Sequence, residues 1–597
     1  MIDDQFASRV ARRAAGLLAE FNRADVLSAA DVHVATRTAD LVGEPDQTVR
    51  LATALAVRAV RLGSVCVDLR TVRATTLESL DEPVELSWPN PADWIDAVRR
   101  SPLVEQQLLR VEGGGVLYLD RYWREERQVC DDLTARLDRP VPVVDDSWLG
   151  SAIDRVFGAQ PRSAEQRAAV ATAVRCSTTV LTGGPGTGKT TTVARMVAVL
   201  SEQHELATGR PPRVAMCAPT AKAAARLQES VAEQAQTLEP VDAARLEGLE
   251  ASTLHRLLGW RPNRTRFRHD RNNRLPHDVV VVDETSMVSL TQMARLLEAL
   301  RPEARLILVG DPDQLASIEA GAVLADIVTG LVDHPVAPVA ALTTVHRYSG
   351  AISRLAEALR HGDADAALAE LQSGDDSVVL IDPADDAAVT EVETDVVQRA
   401  VQLWRAAEAG DAAAALQHLD AHRLLCAHRE GRFGVRGWNL RVERGVADVS
   451  GQSTYAEWYA GRPVLVTANN QTLQIWNGDV GVTVRRPDGR LEVAVAGPGE
   501  PRRLATTRLP DVDTLFAMTV HKAQGSQADV VTVVMPPDES ALLTRELFYT
   551  AVTRAKHQVR IIGTHESVSA AIGRRALRAS GLADRLRDGH GAATRRA

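Results

Sequence analysis

Lysine is nearly missing from this chain of 597 residues. Of 69 basic side chains only four are lysine, at positions 189, 222, 522 and 556, and the other 65 are arginine. The bias runs through the whole chain alongside abundant alanine, as a compositional drift would. Each retained lysine therefore asks for a chemical reason, because arginine is a poor substitute where a compact ammonium must fit a phosphate site. Cysteine is scarce too. The five (Cys66, Cys130, Cys176, Cys217, Cys426) are scattered, odd in number and form no CxxC pair, which points away from a disulfide framework and a zinc site. No apolar run approaches the ~18 residues of a membrane span. The start, MIDDQFASRV, is acidic and lacks an apolar stretch, so no signal peptide is expected and a cytoplasmic location is. No repeat with a period of about 20–50 residues is present, which excludes a solenoid. The net charge of −9 argues against a surface coated in nucleic acid. It leaves room for a basic channel inside an acidic shell, since groove contacts are local.

What is present reads as several α/β units. Residues 1–150 alternate helical patterns such as RVARRAAGLLAEF with a short apolar segment, GGGVLYLDRYW, and carry no chemical motif. From about 155 short β-rich runs (TTVLTG, VAMCAP, DVVVVDE, ARLILVGD) are each followed by a helical pattern, the signature of a parallel sheet. A first core is expected over 151–335 and the first part of a second over 336–435. A β-rich insertion with NGDVG, RPDGR and PGEPRR turns follows over 436–512, and the second core is completed over 513–597.

Lys189 lies in TVLTGGPGTGKTTTVARM, which fits G-x-x-x-x-G-K-[ST] between an apolar strand and a helix. Gly183, Gly184, Gly186, Thr187, Gly188, Thr190 and Thr191 belong to the same loop and helix start. Glycines let backbone N–H groups face phosphates, and the helix N-terminus adds a favourable dipole. Lys189 is expected on the β- and γ-phosphates of ATP, with the Thr190 hydroxyl on Mg²⁺. Downstream, DVVVVDETSM reads as a buried central strand ending in Asp283 and Glu284. Asp283 is placed to hold Mg²⁺ and Glu284 to orient the attacking water. The competing reading, an acidic helix cap, loses ground once the two motifs occur in one chain.

The other lysines lie in or beside further strings. APTAKAAARL carries Thr220 and Lys222, and STLHRLLGW carries Thr253 and His255. LILVGDPDQLASIEAG carries Asp311 and Gln314, and TTVHRYSG carries Arg347. TVHKAQGSQ carries Thr519, His521, Lys522, Gln524 and Gly525, and ELFYTAVTRAKHQV carries Tyr549, Thr550, Arg554 and Lys556. Together, in this order, these strings resemble superfamily 1 DNA helicases over roughly residues 155–570.

The resemblance implies an α/β fold of two RecA-like P-loop NTPase cores, with ATP and Mg²⁺ between them. Gln166, in SAEQRAAV, resembles the adenine-reading glutamine. Arg347 and Arg554 would reach the γ-phosphate from the second core, Gln314 would report its state, and Gly525 would border the nucleotide. Thr220, Lys222, Thr253, His255, Thr519, His521 and Lys522 match positions that touch the DNA strand, with Lys522 facing both channel and nucleotide cleft. The bland alternatives are a solvated turn lysine for Lys522 and surface arginines for Arg347 and Arg554. The segment RPNRTRFRHDRNNR (261–274) carries six arginines against one aspartate and resembles a small β-hairpin insertion that splits the duplex in relatives. The bland reading is a solvated basic hairpin.

Within the superfamily the chain most resembles the RecD type, the alpha subunit of exodeoxyribonuclease V (RecBCD). VHRYSG, NNQTLQIWNGDVG, the β-rich insertion where the family has an SH3-like module, and LYLDRYW in the leading part carry that resemblance. It implies 5′→3′ travel on single-stranded DNA, action at duplex ends in recombinational repair, and RecB and RecC as partners of a mainly helical N-terminal docking domain. No nuclease-like acidic cluster occurs, so the nuclease would belong to a partner. Three other readings stay open: a DNA-independent P-loop ATPase, a structural or regulatory subunit whose motor is dispensable, and a stand-alone RecD-like helicase.

Overall fold

The computed structural model describes the chain apart from residues 1–9, 78–84, 140–143, 159–162, 262–265, 346–349, 432, 452–455, 471, 498–499, 538–539, 541, 577 and 595–597. The N-terminal part is mainly helical and closes on a small antiparallel sheet, β1 (Cys66–Asp68), β2 (Leu109–Glu112) and β3 (Val116–Leu119), in the order β1-β3-β2. Its own core is built on Phe21, Leu51, Leu55, Trp94 and Leu103.

The first core is a six-stranded sheet of β4 (Thr178–Gly183), β5 (Val214–Ala218), β6 (Ala251–Thr253), β7 (Val279–Val282), β8 (Arg305–Gly310) and β9 (Val339–Leu342). The order is β6-β5-β7-β8-β4-β9 with every pair parallel. Helices on both faces favour apolar central strands, and all four valines of β7 are buried. Removing one such valine from water is worth about 1.5–3 kcal/mol. The strand β9 hydrogen-bonds to β4, so this sheet runs past the expected border at 335.

The second core holds β10 (Val378–Ile381) and β11 (His422–Cys426). The insertion then forms a separate antiparallel sheet of β12 (Pro463–Val466), β13 (Val480–Arg485), β14 (Leu491–Val495), β15 (Arg502–Ala505) and β16 (Val512–Thr514), ordered β15-β14-β13-β12-β16. The chain returns to the second core through β17 (Ala517–Thr519), β18 (Ala528–Val534) and β19 (Ala555–Ile562), giving the parallel order β10-β19-β18-β11-β17. The helix Val435–Ser450, expected inside the insertion, packs on the second core instead. Trp438, Val442 and Val446 share a buried cluster with Leu424 and Ala517.

The tail also departs from expectation. Residues after the helix His565–Gly573 leave the second core and end in the helix Leu582–Thr594. Its Leu582 and Leu586 are fully buried in the first core's cluster with Val129, Leu133 and Ile327. An amphipathic stripe says that a helix packs, not against what. The basic segment at 261–274 forms, among its described residues, a tight turn closed by a bridge between Asp270 and Asn273.

Candidate active site and strand channel

The phosphate loop leaves the carboxyl end of β4, the edge where ligands of parallel sheets gather. Gly186 (φ +86) and Gly188 (φ +85) take left-handed backbone that side chains resist, which lets the loop turn back over the helix Lys189–Thr208. The Lys189 ammonium donates to the carbonyls of Gly183 (2.5 Å) and Gly184 (2.9 Å). It is thereby held across the loop mouth, where phosphate oxygens would be stronger acceptors. Thr187 braces the loop by donating to the Gly184 carbonyl at 2.9 Å.

Asp283 and Glu284 stand at the end of β7. Glu284 is one of five non-glycine residues with positive φ among the described residues (φ +49), the kind of strained backbone that marks functional turns. Burial and the neighbouring Glu284 charge push the Asp283 carboxyl up, while Lys189 and Arg226 pull it down. Its charged form therefore calls for a cation. A carboxylate and the Thr190 hydroxyl line the same cleft, and both are hard oxygen donors of the kind Mg²⁺ takes.

That cleft, of about 400 Å³, lies between the two cores. The first core contributes Gly186, Gly188, Lys189, Thr190, Thr191, Asp283, Glu284 and Gln314, and the second contributes Gly525, Gln527 and Arg554. Arg554 is 3% exposed and is held by the Thr550 carbonyl (3.0 Å) and the Thr553 hydroxyl (3.3 Å). Its guanidinium thus faces the phosphate loop on a fixed mount. Arg226, which the sequence reading missed, donates from the first core's helix Ala221–Ala235 to the Gly525 carbonyl (3.1 Å) and Gln527 Oε1 (2.8 Å). Its only sequence signal was a place one helical turn after Lys222.

Further bonds join the cores. Gln524 donates to the Leu315 carbonyl (2.7 Å), Leu315 N–H donates to Thr550 Oγ1 (2.9 Å), and Arg360 pairs with Asp313 (3.3 Å). Gln314 and Tyr549 both donate to Asp311 Oδ2, at 2.9 and 3.0 Å.

Not every expected residue meets the nucleotide cleft. Gln166 is buried on the helix Ala164–Arg175 and its amide donates to the Thr187 carbonyl at 3.5 Å, behind the loop. Its neighbour Glu165 anchors the N–H groups of Thr343 (2.8 Å) and Thr344 (3.1 Å). Arg347 lies outside the described residues. Lys522 does not reach the nucleotide cleft. It pairs with Asp513 (3.1 Å) in a second groove, of about 370 Å³, shared with Thr519 and Asn439. The reason is the short turn after β17, which points Lys522 and Gly525 in different directions. Lys556 makes an exposed pair with Asp529, a contact of little energetic weight.

Thr220 and Thr253 both cap helices at the carboxyl edge of the first sheet. Their hydroxyls accept from Ala223 N and Arg256 N at 3.2 Å each. A capping hydroxyl keeps its own hydrogen free to donate to a phosphate beside the helix dipole. His255 is exposed beside them, whereas His521 is half-buried, and burial with the charge of Arg578 pulls its pKa down. Lys222 faces Arg423, Asp420 and Asp479, where first core, second core and insertion meet, and burial pulls it down to about 8.

Two parallel-sheet cores that share one phosphate-loop cleft define a P-loop NTPase of the superfamily 1 helicase type. Family comparison agrees segment by segment. The AAA domain family matches residues 166–320, the UvrD-like helicase C-terminal domain family residues 514–562, and the family described as RecBCD enzyme subunit RecD, N-terminal domain, residues 23–113. The RecBCD enzyme subunit RecD of Mycolicibacterium smegmatis is 54% identical over 94% of this chain and 98% of its own length. The RecD subunit of Haemophilus influenzae is 32% identical over 79% of this chain and 80% of its own. The ATP-dependent RecD2 DNA helicase of Deinococcus radiodurans is 32% identical over 80% of this chain but only 59% of its own. The chain belongs to the RecD family.

Proposed function

We propose that this chain is an ATP-driven DNA helicase and translocase, the RecD-type motor subunit that joins RecB and RecC at duplex ends in recombinational repair, in the cytoplasm. The observation that carries the motor reading is the shared cleft. Lys189, Asp283 and Glu284 face it from one core and Arg554 from the other. Hydrolysis there depends on closure of the cores, so chemistry and movement are linked.

In this reading Lys189 and the loop N–H groups hold the phosphates of ATP, and Thr190 with Asp283 would hold Mg²⁺. The ion would supply charge neutralisation on the phosphates. Glu284 orients the attacking water, and Arg554 stabilises charge moving onto the leaving phosphates. Arg347 is proposed as a second such arginine, and Gln314 as the group that senses the γ-phosphate through Asp311. Thr220, Lys222, Thr253, His255, Thr519, His521 and Lys522 are proposed to line the path of the strand. The N-terminal part is proposed as the docking surface for RecC. Polarity is tested by strand displacement on forks with a single 5′ or a single 3′ tail. Unwinding of the 5′-tailed fork alone is expected, and unwinding of the 3′-tailed fork alone contradicts the reading. Co-purification with RecB and RecC decides between the subunit and a stand-alone helicase.

A further inference from the structure

Trp260 is 47% exposed, and among the described residues no other Phe, Trp or Tyr side chain is in the exposed class. An isolated exposed leucine needs no explanation, but a half-exposed indole in a chain with 4% aromatics does. Its setting is built rather than frayed. The Trp260 backbone N–H donates to the His255 carbonyl (2.9 Å), which closes the chain over the end of the short helix Leu254–Leu257. Gly259 makes the turn at φ +72, and a Cβ there would come within 2.7 Å of the Arg268 Cβ. The close approach lets Arg268 N–H reach the Gly259 carbonyl (3.2 Å) and His269 N–H the Leu258 carbonyl (3.0 Å). Phe267 is thereby set 5.8 Å from the His255 ring and packs on the first core. The His255–Phe267 ring pair thus lies beside the turn that carries Trp260.

Residues 256–274 carry seven arginines against one carboxylate, Asp270. Arg271 is committed to Asp132 (2.8 Å) and Arg274 to the Leu300 carbonyl. Arg256, Arg261, Arg266 and Arg268 are exposed, and among the described residues no carboxylate pairs with them. An exposed indole in a segment of unpaired guanidinium groups matches an unpaired nucleobase flanked by phosphates. It matches an apolar protein surface badly, because that would bury those charges.

We propose that Trp260, next to the His255–Phe267 pair, is a stacking platform for one unpaired base of the DNA strand, with the neighbouring arginines on the flanking phosphates. This rests on the reading of the chain as a strand-binding motor. Stacking tolerates any base, so the platform grips without selecting sequence.

The test uses the full chain and fluorescence anisotropy with two probes of equal length, oligo-dT and an abasic oligomer that offers phosphates alone. Trp260→Ala is expected to bind oligo-dT about tenfold more weakly, to bind the abasic oligomer like the parent, and to be largely rescued by Trp260→Phe. Unchanged affinity of Trp260→Ala for oligo-dT overturns the platform, as does an equal loss on both probes. Unchanged DNA binding with lost co-purification of RecB and RecC overturns it in favour of a protein-docking role. A parent chain that binds neither probe overturns the strand-binding reading itself, and the platform with it.

Discussion

The Tyr549 phenol on the second core donates to the Asp311 carboxylate on the first at 3.0 Å, and Asp311 is 1% exposed. The same carboxylate oxygen takes the amide of Gln314 at 2.9 Å. A buried carboxylate is costly when it loses a donor, so this bond ties the sensing glutamine to the closed arrangement of the cores. The Tyr549 hydroxyl also lies against the phosphate loop, 2.9 Å from where a Cβ on Gly184 would stand.

Tyr549→Phe is therefore expected to leave the KM for ATP within about twofold while lowering the DNA-stimulated kcat by about tenfold, the loss of roughly one buried hydrogen bond to a charged group. Steady-state hydrolysis with saturating oligo-dT checks this. A change in KM alone would show that the bond serves nucleotide binding instead.

Arg554→Ala is expected to reduce kcat by about 10³-fold or more with little effect on ATP binding, as for an arginine that acts on transferred charge. Arg554→Lys should not restore it, since an ammonium cannot reproduce the planar fork held by Thr550 and Thr553. Nucleotide binding by calorimetry beside kcat separates the two effects. The phosphate loop and the Asp283–Glu284 strand end were legible in the sequence because the chemistry dictates residue type and spacing, and Arg554 was legible only through the resemblance of its string to helicases. Arg226 was not, being one of 65 arginines with no spacing rule to single it out. Lys522 was legible as a residue but not as a direction, which depends on the turn after β17. Gln166 was likewise legible by position, yet its amide packs behind the loop.

Lys222 gives a pH dependence. Burial lowers its pKa to about 8, so in the free protein the ammonium loses its proton as pH rises from 7 to 9. Arg423 and Arg226 add to the fall, and Asp420 and Asp479 oppose it. Only the charged form attracts a phosphate. Oligo-dT affinity should accordingly fall across that window, and Lys222→Gln should be weaker at pH 7 and flat across it. A parallel fall in the variant would place the titrating group elsewhere.

The tail is a structural clasp. Glu126, fully buried, accepts from Tyr118 OH (3.2 Å), Ser580 Oγ (3.0 Å), Gly581 N (3.0 Å) and Arg585 Nε (2.9 Å). Arg585→Ala leaves that carboxylate without its cation and is expected to cost about 3–5 kcal/mol of stability. Chemical denaturation measures it. This clasp was invisible in the sequence, since contacts between residues so far apart in the chain leave no local pattern. A loss below about 1 kcal/mol would mean that the tail is held by Leu582, Leu586 and the Ser580 and Gly581 bonds rather than by the Arg585 charge.

The central claim is a DNA-dependent motor in the cleft between the two cores. It is tested most directly by ATP hydrolysis of the full chain with and without oligo-dT, beside Lys189→Gln. Strong stimulation by oligo-dT that disappears in the variant is the predicted result. A rate in the parent chain that is indifferent to DNA would contradict it and leave a P-loop ATPase without a strand to move on.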